Sequence, residues 1–542
     1  MDRGPCHREG VRGPVCCLLT VAFGILSLAL AGCSTGSAAT TTTLYRGATL
    51  FPTTETTVPV PVEASGVLEL ALPAAAHLDP QLASTPSDVL LSQQVYDRLV
   101  EIDAKGGPIP SLATSWNSRD GTIWTFTLRS GVTFHDGAVF DADDVVFSFD
   151  RLRDTATGAS AGVLFKNIID VRTVDALHVQ FLLAEPDAEF LRTLADPRAA
   201  ILSKGVRDPS REWLGTGPFV LESYLDTDRA VLSRNPSYWS ANASGTRLPY
   251  LDGLRFVFVP EASAQIEALF QGDVQFVGGL TPLMSARVQA EDMRVVTSVS
   301  NGHYTISMRT SEGRPTADTR VRLALRLGTD HQGIIDRVRS GFAVVGNGTP
   351  VGPSFGDAYL DVTPTFDAEQ ARALLAEAGF PAGLDLTLQV PEYGDGPAIA
   401  AAWKSQMAAI GVNLTIATYP AESPTEPSAD GAAGADLSLT YTSTEIYPLD
   451  SLPAGGGSGG AFTGTHWVDE DFAGLVSRIR AELVDEQRVA LYRAAQQALV
   501  ERGPLIVPYM EMSAAGVAPS VQGLTLAADW PRTVLRGAYL AE

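Results

Sequence analysis

All four cysteines of this 542-residue chain, Cys6, Cys16, Cys17 and Cys33, lie within its first 33 residues. Everything after Cys33 must therefore fold without a disulfide, a thiolate metal site or a thiol nucleophile. A chain under that restriction holds itself together by burying apolar surface. The roughly 475 residues from Gly66 onward are enough to do so across two or three domains.

The N-terminus accounts for the cysteines. Arg3, Arg8 and Arg12 precede the apolar block "VCCLLTVAFGILSLALA", and small residues lead to "LAGC" at Leu30–Cys33. That order of charge, apolar core and small residues is an export signal covering residues 1–32. An uncleaved spanning helix is the competing reading, since the apolar run approaches the minimum of about 17 residues for crossing a bilayer. The terminal Cys followed by Ser34 and Thr35 favours processing, and the site looks like the lipobox of a bacterial lipoprotein, which implies that Cys33 carries the lipid. Residues 33–65 are rich in Thr, Ser and Pro and read as a flexible tether. The chain carries a net charge of −23; its first 32 residues hold three Arg against Asp2 and Glu9, so the remainder stands at −24. Such a surface repels nucleic acid and anionic lipid.

From Gly66 the pattern becomes globular. Leu68, Leu70 and Leu72 alternate in "VLELAL", Trp124, Phe126 and Leu128 in "TIWTFTL", and Leu254, Phe256 and Phe258 in "LRFVFV", so each predicts a strand. "DAEQARALLAEAGF" predicts a helix capped by Asp367 and stopped by Gly379. Another is expected over 397–410, and a third over "DEQRVALYRAAQQALVERGP", with Val489, Tyr492, Ala495 and Leu499 on one face. The class is α/β or α+β without an internal repeat. Two segments rich in small and polar residues, 421–436 and 454–460, read as loops. The Gly run in the second has no Lys-Ser/Thr after it, which argues against a phosphate cradle.

The stretch "TFTLRSGVTFHDGAVFDADDVVFSF" raises the question of an active site. His135 and Asp136 fall on an Asp-Gly turn, and the remaining histidines past residue 33, at 77, 178, 303, 331 and 466, are scattered singly rather than at metal-ligand spacing. Asp141, Asp143 and Asp144 precede an apolar helical run, where carboxylates cap backbone N–H groups and face the positive end of the dipole. The oxygen-ligand spacing of a calcium loop is absent. No Ser-x-x-Lys motif opens a helix to support nucleophilic catalysis. The chain is read as a non-enzyme without metal or other cofactor.

Ordered blocks along the chain carry a resemblance. They are "HLDP" at His77, "VYDRLVEIDAKGGPIPSLATSW", the stretch just quoted, "GTGPFVL" at Gly215, "RNPSYW" at Arg234, "RLPYLDGLRF" at Arg247, "DTRVRLAL" at Asp318, "LLAEAGF" at Leu374 and "GPLIVPYM" at Gly503. Together they resemble the solute-binding proteins of the peptide, opine and nickel class of ABC importers. The resemblance implies a two-lobed periplasmic-binding-protein-like α/β fold of type II with an extra inserted domain. Residues 66–100, 204–298 and 504–542 would form lobe I, 101–203 the inserted domain and 299–503 lobe II. It also implies a monomer, lipid-anchored on the extracytoplasmic face of the bacterial cell membrane, that closes around a peptide or other small polar solute and delivers it to permease subunits served by a separate ATPase. A solute receptor that signals without import is the alternative.

Two departures from the family bear on the ligand. Peptide-binding members commonly anchor the amino terminus with a carboxylate near a Trp in lobe II; here Tyr441 falls near the Trp, Thr444 takes the place of the Asp, and Glu445 is next to it. Arg309 stands where many members have Asn and would suit a solute carboxylate. Gln275 also replaces a usual Asp. Tyr304, Arg309, Tyr441, Ser443 and Glu445 are the expected cleft residues.

Overall fold

The structure, a computed structural model, describes residues 65–103, 106–420, 435–443, 448–449, 451–452, 462 and 464–541. The export segment, Cys33, most of the tether and Glu445 lie outside the described residues.

One large mixed sheet organises the chain. Its strands are β1 (Val67–Leu72), β2 (Phe219–Leu225), β3 (Arg229–Arg234), β4 (Gly253–Phe258), β5 (Phe276–Gly278), β6 (Arg294–Met308), β7 (Leu384–Pro391), β8 (Val412–Tyr419), β9 (Leu437–Thr442) and β10 (Met510–Val517). They run in the order β8-β7-β9-β6-β10-β5-β1-β4-β3-β2, with Ala343–Val344 added beside β10 and Leu505–Ile506 beside β6. Leu68, Leu70 and Leu72 are at most 2 % exposed, and so is Ala71 on the other face. Burial on both faces suits the parallel pairing of β1 with β4 and β5.

β6 links the two halves of this sheet. Over Arg294–Val299 it pairs with β10, and over His303–Met308 it pairs with β9. The register slips between Val299 and His303, a bulge that bends the strand and changes its partner. On one side of this bend, Leu70, Phe219, Phe256 and Phe276 share a core; on the other, Ile306, Leu325, Leu388, Trp403 and Leu439 share another.

A separate four-stranded antiparallel sheet, ordered Ala113–Ser118, Ile123–Leu128, His178–Leu183 and Ile168–Asp175, has its own core. Phe149, from helix α1 (Ala142–Arg153), meets Phe181 edge-on with centroids 4.9 Å apart, and Phe126 meets Phe181 at 5.4 Å. Asp97 ties this region to the large sheet: its carboxylate is buried and accepts from Trp239 Nε1 at 2.8 Å and Thr216 Oγ1 at 3.0 Å. Glu101 pairs with Arg536 at 2.6 Å. Burial works to raise the Glu101 carboxyl, but the Arg536 charge overrides it and holds the group down to about 2.

The His-Asp-Gly stretch is scaffold. Gly137 adopts φ +87°, and Phe134 N–H donates to Ala138 O at 2.8 Å, closing the turn. His135 pins that turn onto the 215–217 segment, its backbone N–H donating to Gly215 O at 3.0 Å and its Nε2 bonding Gly217 O at 3.1 Å. Asp141 caps α1, accepting from Asp143 N–H at 3.0 Å, while Asp144 accepts from Asp141 N–H at 2.9 Å in a reciprocal capping box.

Among the further helices, four bear on the site or on the sequence expectations: α2 (His331–Arg339), α3 (Ala368–Glu377), α4 (Gly396–Ala409) and α5 (Asp485–Arg502). Asp367 caps α3, as its spacing predicts. α5 differs from the expected apolar stripe in one position. Arg488 is buried where Val489 is only partly so, because its guanidinium pairs with buried Glu189 at 2.8 Å.

Candidate functional site

Where β6 bends, five elements bring charged and phenolic side chains together. Tyr304 follows the bend on β6 and lies opposite Tyr441 on β9, the two rings 5.0 Å apart. Arg339 ends α2. Asp395 sits at the N-cap of α4, and Tyr509 and Glu511 flank the start of β10.

Arg339 is the centre of the cluster. Its Nε lies 2.9 Å from Asp395 Oδ2, its Nη2 pairs with Glu511 Oε1, and its guanidinium lies 5.6 Å from the Tyr509 ring centroid. Tyr509 OH donates to Asp395 at 2.7 Å, and Tyr441 OH donates to Glu511 Oε2 at 3.0 Å. The Asp395 side chain makes no capping bond to α4, so it is free to serve Arg339 and Tyr509, while the helix N-terminus favours its charge. Tyr304 OH accepts from Asp395 N–H at 3.0 Å.

Two glycines shape this corner. Gly394 has φ +57°, and a Cβ there would lie 2.2 Å from Tyr304 OH, so both backbone and space require Gly. A Cβ at Gly302 would lie 3.1 Å from Glu511 Oε2 and 3.2 Å from Tyr441 OH, so the bulge of β6 runs hard against the cluster.

Burial governs the proton affinities. It pushes the Glu511 carboxyl above its usual value against the pull of Arg339, and it pushes Tyr304 up to about 12. For Arg339 burial opposes the charge, but Glu511 and Asp395 more than offset it, so the guanidinium is held firmly protonated. Two carboxylates thus share one guanidinium, which leaves about one negative charge to be balanced. Neither carboxylate is sealed: the Asp395 side chain is 27 % exposed and that of Glu511 20 %. A cluster of this kind can hold the cationic end of a polar solute while its phenols supply hydrogen bonds. It contains no nucleophile paired with a general base, and among the described residues no group of three His, Cys, Asp or Glu side chains stands in position to hold a metal.

Of the residues expected from the sequence, Tyr304 and Tyr441 belong to the cluster. Ser443 is exposed just past the end of β9. Arg309 stands five residues beyond Tyr304 on the same strand direction, about 16 Å away along the strand. There its Nη2 lies 3.4 Å from His466 Nε2 and its N–H donates to Asp436 O. Arg339, Asp395, Tyr509 and Glu511 are not singled out by the sequence. The "GDGP" turn before α4 and the Tyr-Met-Glu alternation entering β10 are the only local signals for them.

Similarity to known proteins identifies the family and the fold. Residues 107–460 match the model for bacterial extracellular solute-binding proteins, family 5. The dipeptide-binding protein of Escherichia coli K12 is 29% identical over 458 residues, spanning 77% of this chain and 83% of the relative. The glutathione-binding protein of Salmonella paratyphi A is 30% identical over 353 residues, spanning 64% of this chain and 67% of the relative. The crystal structure of an ABC transporter substrate-binding protein from Sinorhizobium meliloti superposes with a TM-score of 0.76 at 26% identity, covering 88% of this chain and all of that one. The fold is the two-lobed type II arrangement of such periplasmic binding proteins, and the homologues are transport proteins rather than enzymes. This chain belongs to the family 5 bacterial extracellular solute-binding proteins, the solute-capturing partners of ABC importers.

Proposed function

We propose that the protein is a lipid-anchored binding protein, held at Cys33 on the extracytoplasmic face of the cell membrane, that captures an oligopeptide or related polar organic solute carrying a cationic group. Solute enters between lobe I, residues 66–100, 204–298 and 504–542, and lobe II, residues 299–503, while residues 101–203 form the inserted domain. Closure replaces the solute's water with fixed partners and presents a closed shape to a permease powered by a separate ATPase.

The observation that carries this reading is the Arg339–Asp395–Glu511 cluster, its carboxylates partly exposed, beside Tyr304, Tyr441 and Tyr509 where β6 passes from one half of the sheet to the other. Motion about the Ser300–Gly302 bulge changes the room above these groups, and a solute that bridges the two halves favours the closed population. The relatives named for dipeptide and glutathione binding support a solute with both amine and amide groups. Native mass spectrometry of the protein purified from its own cells tests the reading. A bound peptide or amine-bearing solute is expected, and a protein that neither retains nor binds any such solute on addition refutes it.

A further inference from the structure

A cavity of about 440 Å³ opens between the turn at Arg129–Gly131 and the segment Ser237–Arg247, far in sequence from every member of the cluster described above. Two guanidiniums, Arg129 and Arg247, and the hydroxyls of Ser130, Ser237 and Ser240 line it, and no carboxylate does.

That composition is unusual for this chain, which has 62 acidic residues against 39 basic ones. Several buried or partly buried arginines elsewhere have their charge or their nitrogens answered. Arg151, Arg198, Arg339, Arg488 and Arg536 each pair with a carboxylate, and Arg322 and Arg326 bond several backbone carbonyls. Arg129 lies 4.2 Å over the Trp239 ring and donates from Nε to Ser111 O at 3.1 Å. Among the described residues it forms no ion pair, and no partner engages its two terminal nitrogens. Arg247 donates to Pro236 O at 2.8 Å and likewise lacks an ion pair there. Burial works against the Arg129 charge, which the Asp97 carboxylate supports without an ion pair, and an anion held between Arg129 and the exposed Arg247 adds direct compensation. The forked face of a guanidinium matches two oxygens of a phosphate or carboxylate, and neighbouring hydroxyls can donate to the rest.

We infer that this cavity is a second binding site, which takes a small oxyanion through Arg129 and Arg247 independently of the solute site. The oxygens belong to a soluble phosphate or carboxylate in preference to an anionic lipid headgroup, because the −23 net charge opposes approach to an anionic bilayer. Trp239 is fixed by its Nε1 donating to the Asp97 carboxylate at 2.8 Å, so the platform under Arg129 is held before any anion arrives.

Calorimetry with inorganic phosphate and with citrate, at low and high salt, tests this on the full protein and on Arg129→Gln and Arg247→Gln. Vesicles of phosphatidylcholine with and without phosphatidylglycerol form the parallel arm. Salt-sensitive binding of phosphate or citrate, weakened about tenfold in either variant, is expected. Binding confined to the anionic vesicles and lost in both variants would keep the oxyanion chemistry but assign it to a headgroup. The inference is overturned if no probe binds the wild type, or if binding persists unchanged in both variants. Arg247 is exposed, so its variant remains informative should Arg129→Gln fail to fold.

Discussion

Glu511 shares a single guanidinium with Asp395, and that imbalance is the basis of the ligand chemistry proposed for the cluster. Glu511→Gln keeps the shape of the side chain and the Tyr441 contact while removing the excess charge. Calorimetry should show amine-bearing solutes bound about tenfold more weakly by this variant, with N-acetylated analogues little affected. Equal losses for both kinds of solute would assign Glu511 a structural role only. His303 makes a second prediction at this scale. It is fully buried, its Nδ1 bonds Asn301 O at 2.6 Å, and among the described residues its Nε2 has no partner. Burial lowers its pKa to about 4. The unfolded imidazole, with a pKa near 6.5, therefore takes a proton that the folded one refuses. This contribution is fully present above pH 6.5 and declines as pH falls towards 4, by about 3 kcal/mol in all. Urea unfolding of wild type and His303→Asn across that window measures it. Parallel pH profiles would contradict the assignment.

Among the elements, β6 carries both the fold and the site. Its bulge at Ser300–Gly302 changes the strand's partner from β10 to β9 and brings the backbone against Glu511 and Tyr441. A branched side chain there must push aside the Glu511 carboxylate and the Tyr441 hydroxyl, which a Cβ would already approach to 3.1 and 3.2 Å. Gly302→Val is expected to cost about 2 kcal/mol in denaturant unfolding and to weaken solute binding with it. A variant unchanged in both respects would show the bulge to be tolerant and the contact incidental. Helix α1 offers a contrast between neighbouring carboxylates. Asp144 is 1 % exposed and accepts from two backbone N–H groups, of Asp141 and Lys204, both at 2.9 Å, whereas Asp143 is exposed. Asp144→Ala should destabilise by about 2 kcal/mol, while Asp143→Ala should leave the unfolding midpoint in place. Similar midpoints for the two would remove the capping account of this stretch.

At the scale of the whole molecule, what the sequence reveals follows from how local each signal is. Alternation in "VLELAL" and the caps at Asp141 and Asp367 report on neighbours a few residues away, and the structure has strands and helices there. The His-Asp-Gly motif is legible as a turn for the same reason, although its anchoring to Gly215 and Gly217 is not. Tyr304 and Tyr441 are both among the expected cleft residues, and the structure sets them opposite each other across β6 and β9. Arg339, Asp395 and Glu511 become one site only when α2, the turn before α4 and β10 meet, and no spacing rule joins residues 56 to 172 positions apart. The central claim is that this corner captures a polar, amine-bearing solute. Calorimetry of the purified protein with a mixture of short peptides tests it most directly. Saturable binding by the wild type, markedly weaker in Glu511→Gln, is predicted; identical binding isotherms for the two proteins would contradict it.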